Sequence, residues 1–81
     1  MTSRKLLAER IAVIEAANSP ALDGDLRAIR RAVDILGDLR ARTVTRRSAE
    51  VRRREERHAW RVIEQRTARA LRKLARGEQI V

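Results

Sequence analysis

Cysteine, tyrosine and phenylalanine are absent from this 81-residue chain, and tryptophan, histidine and proline occur once each. Without thiols there are no disulfides and no thiolate metal sites, the usual reinforcements of a small scaffold. With so few aromatics, any core must be aliphatic. No apolar run approaches the roughly 20 residues of a membrane span. The start, Met1 to Leu7, is basic and then apolar, but Glu9 and Arg10 interrupt it, so it does not read as a signal peptide. The expectation is a protein that is not secreted, held in the cytoplasm or inside a particle. Catalytic sets are missing as well: there is no Gly-rich phosphate loop, no second histidine for a zinc motif, and no plausible Ser–His–Asp set. The chain reads as a non-enzyme without cofactor, metal, membrane or small-molecule substrate.

What is present is positive charge, unevenly spread. The net charge is +9, from 20 Lys+Arg against 11 Asp+Glu. Residues 1–39 hold six of each sign and are neutral, so residues 40–81 carry the whole excess. Apolar residues run the other way. Twelve of the twenty Val, Ile and Leu lie in 1–39, and residues 40–58 contain only Val44 and Val51. One domain is expected, with 1–39 built to pack or oligomerise and 40–81 built to bind an anion.

Apolar spacing predicts three helices. Leu7, Ile11 and Ile14 share one face of a helix from Ser3 to Ala17, with Thr2 or Ser3 as N-cap and Leu6, Val13 and Ala17 widening the stripe. Asn18, Ser19 and Pro20 end it. A second helix starts near Asp23 or Asp25, where a carboxylate suits the positive helix end. Its stripe is Leu22, Leu26, Ile29, Val33 and Leu36, flanked by Ala32, Ile35 and Leu39. Gly37 and the β-branched run Thr43-Val44-Thr45 place a break or kink within 37–48, with Ser48 as the next N-cap. A third helix, Ser48 to Arg76, carries Trp60, Ile63, Thr67, Ala70, Leu71 and Leu74 on one face. Arg66, Arg69, Lys73 and Arg76 fall on the other, and Gly77 closes the helix. Gln79, Ile80 and Val81 form a short apolar tail.

The fold class implied is all-α: an antiparallel helical hairpin plus a long basic third helix, forming an oligomeric helical bundle. A chain of this size buries only about 60% of its unfolded surface. Self-association through Leu7, Ile11, Ile14, Leu26, Ile29, Val33, Leu36, Trp60, Ile63 and Leu74 would add the missing burial. Trp60 marks the junction of the basic and apolar segments and is expected to anchor the core or an oligomer contact.

The candidate site is an arginine cluster: Arg40, Arg42, Arg46, Arg47, Arg52, Arg53, Arg54, Arg57 and Arg61. A guanidinium offers a planar fork that matches phosphate oxygens two at a time. On a helix, residues 46–57 would project as a charged rod, because their would-be apolar face carries Arg46, Arg53 and Glu56. Glu50, Glu55 and Glu56 can neutralise part of this by pairing one turn away. The leading expectation is nucleic-acid binding, DNA before RNA, by a regulator, architectural protein or phage-type accessory factor. The alternative is an assembly subunit, adaptor or inhibitor that docks the same helix on an acidic protein surface.

Three local patterns resemble known families. Ala32 to Gly37 followed by Arg42-Thr43-Val44-Thr45-Arg46-Arg47 resembles a helix-turn-helix, which implies a turn at Gly37 and a recognition helix from Arg42. It departs from that pattern by one extra residue between Gly37 and Val44, and by Asp38 at a normally apolar position. The basic-then-apolar order of the third helix resembles a basic leucine zipper, but Trp60 to Leu74 covers only about two heptads. Glu55 and His58 resemble the Glu-x-x-His pair of di-iron bundles. Their arginine neighbours repel a dication, so His58 is read as a donor to solvent or phosphate.

Overall fold

Ser3 starts the first helix. Its hydroxyl accepts from the Leu6 N–H at 3.1 Å, satisfying one orphan donor of α1, Arg4–Ala17. Asn18 ends α1 in the left-handed region at φ 47°, a conformation Asn tolerates better than most residues. Ser19 then accepts from the Ala21 N–H at 3.3 Å and opens a single 3-10 turn, Pro20–Leu22. Helix α2, Asp23–Ala41, follows directly, with Asp23 and Asp25 in its first turn. Helix α3 spans Arg46–Ala75, and Gly77 takes φ +75° just beyond it. The Gly77 N–H bonds the Leu74 carbonyl at 3.1 Å, a left-handed helix end that glycine adopts without strain. The computed structural model describes residues 3–41 and 46–77, and no strand occurs among them.

Two expectations change here. Gly37 lies inside α2, which continues to Ala41, so the turn that a helix-turn-helix requires at Gly37 does not form. A Cβ built at Gly37 would meet nothing within 4 Å. Ser48 lies inside α3 rather than at its cap, because the helix already begins at Arg46. Thr2, Arg42, Thr43-Val44-Thr45 and the tail Gln79-Ile80-Val81 lie outside the described residues.

The three helices pack against one another in two apolar layers. Leu7, Ile29, Ala32, Leu36, Ala59 and Ile63 form one, bordered by Ile11, Trp60 and Val62. Ile14, Leu22, Leu26 and Ala70 form the other, bordered by Ala17, Leu71 and Leu74. Residue numbers rise along α2 as they fall along α3, so these two helices run antiparallel. The α2–α3 contact is the largest in the molecule, and α1 lies more against α3 than against α2. Most residues expected in a subunit contact (Leu7, Ile14, Leu26, Ile29, Leu36 and Ile63) are therefore buried within one chain. Fully burying such a side chain contributes about 1.5–3 kcal/mol.

Val33 departs from this set at 49% exposed, and Ala32 takes its place at 3%. The buried apolar positions of α2 run Leu26, Ile29, Ala32, Leu36 and Leu39, continuing from Leu22 in the preceding turn, so the stripe turns toward α3. Ala32 and Ala59 are small, which lets the two backbones approach. Leu6, Val13 and Ile35, expected to widen the stripes, are exposed. Among the described residues no helix is long and apolar enough to cross a membrane.

Candidate nucleic-acid interface

Helix α3 is 30 residues long, about 45 Å at 1.5 Å per residue, and it sets the 49 Å length of the molecule. Helix α1 has 14 residues and begins level with Trp60, where the Arg4 guanidinium sits 4.6 Å over the indole centroid. Trp60 is half-buried against the first apolar layer, as expected of a core anchor. Upstream of Trp60, Arg54, Glu55, His58 and Ala59 of α3 line a common groove with Ala28, Arg31, Ala32 and Ile35 of α2. Residues 48–57 are thus not a free rod. Ala49, Arg52 and Glu56 are half-buried, while the rest of that stretch is exposed.

The arginines divide accordingly. Arg52 is on the inner side, and its Nε donates to Glu56 Oε1 at 3.0 Å, the local pairing foreseen for these acids. Arg53, Arg54, Arg57 and Arg61 are exposed. Arg53, Arg57 and Arg61 are spaced four apart and form one ridge, with Arg54 beside it. None of these four makes an ion pair among the described residues. Arg40 is exposed in the last turn of α2. Arg46 and Arg47 fall in the first turn of α3, and their side chains lie outside the described residues. Arg42 belongs to a stretch that does too. The structure therefore assembles four members of the cluster into a ridge and turns one, Arg52, inward.

A second electrostatic feature was not read from the sequence. Asp25, expected as a capping residue, is buried at 2% exposure. Its Oδ1 accepts from Arg66 Nη1 at 3.1 Å and lies 3.8 Å from Arg69 Nε. Lys73 Nζ lies 3.3 Å from Oδ2 but donates its hydrogen bond to the Ala21 carbonyl at 3.1 Å. Oδ2 is thus met by charge without a hydrogen bond. Arg66, Arg69 and Lys73 do not sit opposite the apolar face, as their spacing suggested. They flank it and clasp the start of α2. The available signal was Asp25 itself, four residues before Ile29 and therefore on the buried face.

Glu55 and His58 are both exposed on the side of α3 that faces α2. No cluster of three metal-ligating side chains occurs among the described residues. Compared with family models, curated proteins and solved structures, the chain shows no significant match.

Proposed function

We propose that this chain is a non-enzymatic nucleic-acid-binding protein whose ridge of Arg53, Arg54, Arg57 and Arg61 contacts the phosphate backbone. The observation that carries this reading is that these four guanidinium groups are exposed and make no ion pair among the described residues, in a segment holding much of the chain's excess charge. Arg40, Arg46 and Arg47 would extend the contact at one end. Helical guanidiniums serve phosphate well because each offers a rigid fork of donors.

DNA is favoured over RNA on shape. A helix with side chains is about 10–12 Å across. The major groove of B-DNA, about 12 Å wide, admits it, whereas the A-form major groove is too deep and narrow. Backbone contacts of this kind carry little sequence information. The role is then architectural or accessory, with regulation arising where binding excludes other proteins.

Fluorescence anisotropy of a labelled random duplex, titrated across ionic strength, tests the proposal. Six to ten phosphate contacts would lower affinity by about 10³–10⁵ between 50 and 200 mM salt. A chain that ignores duplex DNA and RNA at low salt, yet binds an acidic protein through one or two dominant arginines, would be the adaptor of the alternative reading.

A further inference from the structure

The face of the α2–α3 pair lined by Ala28, Ala32 and Ile35 of α2 and by Ala59 and Val62 of α3 forms a groove of about 800 Å³. Arg31, Arg54, Glu55 and His58 stand on its rim. Ile35 is 41% exposed there, and Val51, one turn along α3 from Glu55, is 52% exposed. The helix side of this face reads Val51, Glu55, His58, Val62, with steps of four, three and four. That is the a/d spacing of a coiled-coil seam. The order is also symmetric in kind, with an apolar residue at each end and an acid and a base between.

We propose that this face is the interface between two copies of the chain, with the α3 helices crossing antiparallel about a two-fold axis between Glu55 and His58. An isologous contact requires a surface complementary to itself. Antiparallel pairing about this point sets Val51 against the partner's Val62 and Glu55 against the partner's His58, twice over. Residues 51 to 62 span about 17 Å, and Ala28, Ala32 and Ile35 extend the contact onto α2. Arg53, Arg57 and Arg61 point away from the seam and stay free, while Arg54 stands on its rim and borders both the seam and the ridge. Parallel pairing would oppose Glu55 to its own copy. The symmetry of the four positions therefore selects the antiparallel arrangement.

Sedimentation equilibrium on the full chain tests this, with circular dichroism confirming that each variant stays helical. The wild-type chain is expected at twice its 9.3 kDa mass. Val51→Glu alters an exposed residue, so the fold survives while dimerisation weakens by about tenfold or more. His58→Glu sets carboxylate against carboxylate across the axis, and Glu55→Lys removes the acceptor that faces the partner's His58, and each weakens association several-fold. Combining them restores opposite charges and returns association close to wild type. A chain that remains monomeric up to about 1 mM leaves the groove to a different partner and overturns the proposal. So does a dimer indifferent to Val51→Glu, or a double variant no better than the single ones.

Discussion

Asp25 Oδ1 and Arg66 Nη1 meet at 3.1 Å across 41 positions of sequence, joining the start of α2 to the last third of α3. The carboxylate is almost wholly buried, whereas Arg66 and Arg69 keep 41% and 55% of their side-chain surface in water. Only Lys73, at 19%, is enclosed with it. The unequal burial makes the consequences of mutation unequal. Asp25→Ala leaves three neighbouring cations without their anion and opens a gap, at an expected cost of about 2 kcal/mol. Lys73→Met strips Oδ2 of its charge partner and frees the Ala21 carbonyl, for about 1–3 kcal/mol. Arg69→Ala, at 3.8 Å and in solvent, should cost under about 0.5 kcal/mol. Urea unfolding of the three variants checks the order. Equal losses would show that the clasp does not work through Asp25.

Gly37 offers a gain. It lies within α2, exposed, with open space where a Cβ would stand. Gly37→Ala should stabilise the chain by about 1 kcal/mol. In a domain of this size that raises Tm by about 4–8 °C. Thermal unfolding followed at the helix signal measures it, and an unchanged or lower Tm would mean that α2 is not helical through this position.

Thr67 offers another. It is 1% exposed in α3, and its Oγ1 has no hydrogen-bond partner among the described residues. A buried polar atom left unpaired costs about 1–3 kcal/mol. Thr67→Val keeps the shape and removes the hydroxyl, so it should stabilise by about 1 kcal/mol in urea titration. A loss of stability would show that the hydroxyl is satisfied in solution.

Trp60 reports on the joint between α1 and α3. As the sole tryptophan, its fluorescence isolates this place. Arg4→Gln removes the cation stacked over the indole and should cost about 0.5–1 kcal/mol, with a change in emission because the ring face opens to water. Unaltered emission and stability would mean that Arg4 does not hold that position in solution.

The aliphatic framework was legible because Leu and Ile at steps of three and four carry a strong signal. Leu7, Ile14, Leu26, Ile29, Leu36 and Ile63 are all buried as the spacing implied. Ala32 was passed over for Val33, since alanine contributes little hydrophobicity even where its smallness decides how closely two helices approach. Asp25 read as a cap because a carboxylate in a first turn suits the helix end. Its burial follows from where α3 lies, which no local pattern encodes. The positive charge of 40–61 was visible in composition alone. That Arg52 turns inward to Glu56 while Arg53, Arg54, Arg57 and Arg61 remain outside depends on which side of α3 meets α2.

The most direct test compares the salt dependence of duplex binding by the wild-type chain and by a variant with Arg53, Arg54, Arg57 and Arg61 all changed to Gln. Each lost phosphate contact lowers the slope of log affinity against log salt by about 0.9. The expected slope is smaller by about 3 to 4, with helical content and Tm nearly unchanged because the four side chains are exposed. Equal slopes for the two proteins, or no duplex binding by the wild-type chain at low salt, would contradict it.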